Sequence, residues 1–178
     1  MAEIQIVNVV ATASFGQELD FYELRKCKEI FHDPDVYHGK VAYFKETTMK
    51  GKISLFQSGK MISVGTKSES LAFKELEIAR DFLIEKGFIK PVELQPKTQN
   101  LVVTAVFRMN LSLEELSEIL NAIYEPEQFP GAILRIKKPF KSSVLVFASG
   151  KVVITGLKSS VQIEPTIQYL KKLIETNQ

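Results

Sequence analysis

Residues 4–13, IQIVNVVATA, carry β-branched residues in an approximately alternating rhythm and read as a strand. Phe21, Leu24, Cys27 and Ile30/Phe31 then recur at helical spacing, which predicts a helix over 20–31. HDPD signals a turn, and strands are predicted at 40–44, 52–56 and 60–66, the last two joined tightly at Ser58-Gly59. Ser68 caps a long amphipathic helix with Leu71, Glu75/Leu76, Ala79 and Phe82/Leu83 in register, and Gly87 stops it.

The same order then recurs. A strand is predicted at 101–107, and Ser112 with Glu115 forms a capping box for a helix over 113–122. YEPEQFPG is a loop held extended by its prolines. Strands follow at 133–136, 144–147 and 152–155, and a final helix at 164–175 tolerates Pro165 in its first turn. LFQSGKMISVGTKS at 55–68 returns as VFASGKVVITGLKS at 146–159, so that 147 less 56 gives an offset of 91. NVVATASFGQEL from Asn8 returns as NLVVTAVFRMNL from Asn100 at a similar distance. Repetition at such a period marks two copies of one unit, assigned to residues 1–90 and 91–178 with a link near 87–98.

Each unit reads strand, helix, run of strands, helix. The expected fold class is α+β: two pseudo-symmetric repeats forming one curved antiparallel sheet with helices on one side. The strands alternate poorly, because Val152 and Ile154 oppose Val153 and Thr155, and Met61 and Ser63 oppose Ile62 and Val64. Helices suffice to cover one face, so the other is a dimer interface or a ligand platform. Asn8 and Asn100 fall mid-strand at matching places. Each is either a bulge residue satisfied locally or an amide that meets an outside partner. Beside Val10, Val102, Thr12, Thr104 and Thr155, such an amide suits the DNA minor groove, whose A·T pairs present acceptors on a fairly apolar floor.

Composition changes little: hydrophobic residues make up 45%, charged residues 25%, and the net charge is +2. This describes an ordinary globular chain whose charge permits a nucleic-acid partner without requiring one. Cys27 stands alone and suits a reducing compartment. The N-terminus lacks a basic, then apolar, leader, so a cytoplasmic location without a membrane partner is expected.

The two F-x-S-G-K stretches, Asn8 with Asn100, GQELD, and EPEQFPG followed by Arg135 together resemble the TATA-binding protein family in its archaeal form, across essentially the whole chain. The resemblance implies a saddle whose concave sheet lies in the minor groove of promoter DNA and kinks it, nucleating assembly with transcription factor B and, indirectly, RNA polymerase. It assigns base and groove contacts to Asn8, Val10, Thr12, Ile62, Val64, Asn100, Val102, Thr104, Val153 and Thr155. Tyr37, Phe56, Phe129 and Phe147 become intercalating wedges. Lys40, Ser58, Lys60, Lys67, Arg135, Ser149, Lys151 and Lys158 become sugar-phosphate contacts, and Glu125, Glu127 and Gln128 face transcription factor B. It further implies a monomer on DNA, with self-pairing as an alternative off it, in an archaeal cytoplasm close to the nucleoid, and no cofactor.

The first repeat departs from the second. Where one reads EPEQFPGAILRI the other reads DPDVYHGKVAYF, which places Tyr37 at a wedge, His38 at a proline, Lys40 at an apolar position and Tyr43 at the arginine; Val64 replaces Thr155. A tyrosine wedge must keep its hydroxyl satisfied or wet. Weaker kinking at that end is expected, as in a paralogue with altered DNA preference or one acting mainly through protein partners. Catalysis is not expected, because H-E-x-x-H, G-x-S-x-G, a phosphate-loop spacing and a cysteine pair are all missing from the sequence.

Overall fold

The computed structural model describes residues 3–176, apart from the side chains of Val36 and Tyr37. The chain divides into two compact units, residues 8–99 in one and the remainder in the other. Strand β1 (Glu3–Ser14) enters the first unit at Asn8 and is followed by α1 (Phe21–Leu24), β2 (Ile30–His32), a 3₁₀ turn (Val36–Gly39), β3 (Val41–Phe44), β4 (Lys52–Phe56), β5 (Lys60–Thr66) and α2 (Glu69–Glu85). Its strands are antiparallel in the order β2-β3-β4-β5-β1. The second unit runs β6 (Lys97–Val106), α3 (Leu113–Leu120), β7 (Gly131–Ile136), β8 (Ser142–Phe147), β9 (Lys151–Leu157), a 3₁₀ turn (Ser160–Gln162) and α4 (Ile163–Thr176), with strand order β6-β9-β8-β7. The α+β class with two repeats of antiparallel sheet and helix is the one observed.

Burial alternates along the strands more cleanly than residue type does. Val9, Ala11, Ile53, Leu55 and Met61 are sealed on one face together with Ala72, Leu76, Ala79 and Leu83 of α2, which packs on β4 and β5. Phe44 and Phe82 join that core with ring centroids 4.7 Å apart. In the second unit Leu101, Val103, Ala105, Val144, Val146, Val152 and Ile154 are sealed, as are Leu170 and Ile174 of α4. Each of these valine, leucine and isoleucine side chains contributes about 1.5–3 kcal/mol by leaving water. The opposite faces stay half-exposed, and the candidate site lies there.

Local chemistry sets the helix ends. The Ser68 hydroxyl accepts from Leu71 N–H at 3.2 Å, and Gly87, at φ +76°, ends α2 while Phe88 N–H donates to Leu83 C=O at 2.9 Å. Glu75 on α2 is buried, and its carboxylate accepts from Lys50 N–H at 2.7 Å and Gly51 N–H at 3.1 Å, tying the helix to the loop before β4.

Two predicted helices are shorter than their periodicity implied. The helix over 20–31 stops at Leu24, and Ile30–His32 becomes β2, because those residues pair with β3 and bury Ile30. The helix over 113–122 stops at Leu120, where Asn121 turns left-handed at φ 50°. Strand β6 begins at Lys97 rather than 101 and takes up the tail of the predicted link.

Candidate nucleic-acid interface

Strand register breaks beside both asparagines, between Val9 and Val10 in β1 and between Leu101 and Val102 in β6. The neighbouring strand supplies a glycine at each break, Gly65 at φ +102° and Gly156 at φ +106°. A Cβ there would stand 3.3 Å from the Gly51 or Ser142 Cα and would need a backbone conformation that side chains disfavour. The freed N–H groups point at the asparagines: Gly65 donates to Asn8 Oδ1 at 2.9 Å, and Gly156 to Asn100 Oδ1 at 2.7 Å. An N–H can only donate, so it fixes which end of the amide accepts and leaves the NH₂ end as the donor. Both asparagines thus sit beside a bulge and are satisfied locally through Oδ1.

The asparagines differ in one neighbour. The Thr155 hydroxyl lies 3.1 Å from Asn100 Nδ2 and 3.2 Å from its Oδ1, whereas Val64 holds the corresponding place across from Val10 and offers Asn8 no hydroxyl.

The other predicted groove residues gather on the accessible faces. In the first unit Thr12 pairs with Ile62 and Val10 with Val64; in the second Thr104 pairs with Val153 and Val102 with Thr155. All are half-buried except Val64, which is more exposed. Register adds residues that sequence reasoning missed: Ile133 faces Leu145 and Leu145 faces Val153, extending the second patch. Their signal was the period-two spacing from Arg135 and Phe147.

In the second repeat Phe129 and Phe147 form an edge-to-face pair with centroids 5.8 Å apart at 63°. Gly131, opposite Phe147, makes room, since a Cβ there would lie 2.9 Å from one ring and 3.1 Å from the other. The loop that carries Phe129 is closed by Gln128 and Phe129 N–H groups donating to Glu125 C=O, both at 2.9 Å. Glu125, Glu127 and Gln128 are exposed around a shallow hollow.

The first repeat is built differently. Val41, rather than a glycine, pairs with Phe56, and Phe44 pairs with Ile53 as Leu134 pairs with Val144. Pro34 to Val41 spans seven positions where Pro126 to Gly131 spans five, so the correspondence read from the loop slips by two across β3. Tyr43 therefore stands where Ile133 stands, and the residue following Phe44, Lys45, takes the place of Arg135. The Tyr37 side chain, assigned as a wedge, lies outside the described residues.

Lys40, Ser58, Lys60, Lys67, Arg135, Ser149, Lys151 and Lys158 are exposed. Arg135 and Lys158 share an open groove of about 590 Å³ with Lys137, Lys141, Ser143 and Thr155. The lysines at 137 and 141 were visible only as the basic run KKPFK. A groove of about 600 Å³ in the first unit joins Thr12, Phe56, Ser58, Lys60 and Ile62 to Gln95, Lys97 and Gln99, and Gln99 donates to the Thr12 hydroxyl at 2.9 Å. Three-member His/Cys/Asp/Glu clusters able to hold a metal do not occur among the described residues, and no helix there is long and apolar enough to cross a membrane.

The profile of the family described as transcription factor TFIID (or TATA-binding protein, TBP) matches residues 3–85 and 95–176. A TATA-box-binding protein of Cenarchaeum symbiosum is 37% identical over 156 residues, covering 87% of this chain and 85% of that protein. One from Methanocaldococcus jannaschii is 37% identical over 183 residues, covering 98% of this chain and 93% of that protein. Among solved structures, Methanococcus jannaschii TBP superposes with a TM-score of 0.87 at 31% identity, covering 98% of this chain and 99% of that one.

Proposed function

This chain belongs to the TATA-binding protein family, and from that premise we propose that it binds A·T-rich promoter DNA through the minor groove and kinks it as a transcription initiation factor. One observation carries this reading. Asn8 and Asn100 each accept from a backbone N–H through Oδ1, which leaves the amide NH₂ as the donor end, at Asn100 shared with the Thr155 hydroxyl, on an accessible face lined by valine, isoleucine and threonine. Minor-groove A·T pairs offer acceptors, and a guanine would place its own N2 donor against the asparagine amide. Phe129 and Phe147 supply the wedge of the second repeat. The exposed lysines with Arg135 bind phosphate and set position rather than sequence. Glu125, Glu127 and Gln128 receive transcription factor B, which brings RNA polymerase. The protein acts as a monomer on DNA in the cytoplasm, near the nucleoid, without a cofactor and without catalysis.

A second reading, a paralogue with weak or altered DNA binding that acts mainly through protein partners, draws on the substitutions Val41 for Gly131 and Val64 for Thr155. One experiment separates the two: titration of a TATA-containing duplex carrying a fluorescence bend reporter, with and without transcription factor B. A bend with A·T preference supports the first reading; no bend and no preference in either condition removes it.

A further inference from the structure

The aromatic pair at the far edge of the first repeat carries none of the wedge assignments made above. Phe31 on β2 and Tyr43 on β3 are paired in register, and their rings stack with centroids 6.4 Å apart at 23°. Phe31 is 63% exposed, which is unusual for a phenylalanine in a strand with a buried core at hand. The row continues across the accessible face, since Tyr43 pairs with Ser54, Ser54 with Ile62 and Ile62 with Thr12. Lys52 places its Nζ 4.2 Å from the centroid of the Tyr43 ring. Lys28 and Lys45 line the same hollow, with Glu29 as its acid.

We infer that Phe31 and Tyr43 form a base-stacking platform that takes over wedge duty for the first repeat, with Lys28, Lys45 and Lys52 holding the adjoining phosphates. The occupant is a base step of duplex DNA. A flat aromatic surface accepts a base plane of any sequence, and a lysine rim matches the backbone beside it. A ring packed on Phe56 as Phe129 packs on Phe147 would meet the Val41 side chain, in the space that Gly131 leaves open in the second repeat. The wedge pair therefore cannot be repeated at Phe56 with the same geometry, and the aromatic pair that is exposed lies at Phe31.

This inference rests on the DNA-bending reading, so its test carries an internal reference. Affinity, bend and salt dependence are measured on one A·T-rich duplex for the wild type, Phe129→Ala, Phe31→Ala, Tyr43→Leu and Lys52→Ala. The expected result is that Phe31→Ala and Tyr43→Leu each weaken binding by about 5- to 150-fold, the range of one base–aromatic stack, and reduce the bend with the salt slope unchanged. Lys52→Ala should flatten that slope by about 0.9. Thermal unfolding of Phe31→Ala should match the wild type because the ring is exposed, and Tyr43→Leu keeps an apolar side chain in the strand. If wild type bends the duplex and Phe129→Ala reduces the bend while both first-repeat variants behave as wild type, the platform is overturned and the bending function stands. If the wild type does not bend DNA, both fall together.

Discussion

At Asn100 the amide oxygen accepts from Gly156 N–H, while the nitrogen, 3.1 Å from the Thr155 hydroxyl, is the donor that the proposed base contact would use. Asn100→Asp separates them, because the carboxylate still accepts from Gly156 but can no longer donate. Folding stability by urea titration should stay close to that of the wild type, while affinity for an A·T-rich duplex should fall by at least the 1–3 kcal/mol of a good base contact, with charge repulsion adding to it. A large loss of stability with unchanged affinity would show that the asparagine only closes the bulge. Asn100→Leu removes both ends of the amide, and because Gly156 is exposed and water can replace the lost acceptor, the stability cost should stay near that of one ordinary hydrogen bond, about 0.5–1.5 kcal/mol.

Elements differ in how far the chain announces them. Helix α2 was legible from end to end, since Ser68, the apolar stripe and Gly87 all act within a turn or two of themselves. The first short helix was not: the spacing of Cys27 and Ile30 fits a helix equally well, and what decides is the backbone of β3, a partner distant in sequence. The same cause explains the slip at Tyr43. The loop motif and strand register disagree by two residues, and only cross-strand hydrogen bonds choose between them. Candidate groove residues on β1, β5, β6 and β9 were legible because the repeat aligned them without insertion. Glu75 belongs to this scale too, as a helix residue whose carboxylate serves a distant loop. Glu75→Ala would leave Lys50 and Gly51 N–H groups without their acceptor, and a cost of about 1–3 kcal/mol for each group left unsatisfied should appear as a lower urea midpoint with little change in slope.

Across the whole molecule, a net charge of +2 is small, so attraction to DNA must come from where the cations sit rather than from their sum. Lys60 and Lys151 stand at matching positions after the two S-G turns, both exposed. Replacing either with alanine should weaken binding by a similar factor on A·T-rich and mixed duplexes and flatten the plot of log affinity against log salt by about 0.9, whereas an unchanged slope would place that lysine off the phosphate track. The contrast between Gly131 and Val41 has a further consequence. A duplex can be entered from either end, and a protein made of two identical repeats would sit on a palindromic A·T tract equally well both ways round. With a notched glycine under one wedge and a valine filling the equivalent place in the other repeat, head and tail cease to be interchangeable, and a complex bound in the proposed way acquires a heading along the DNA.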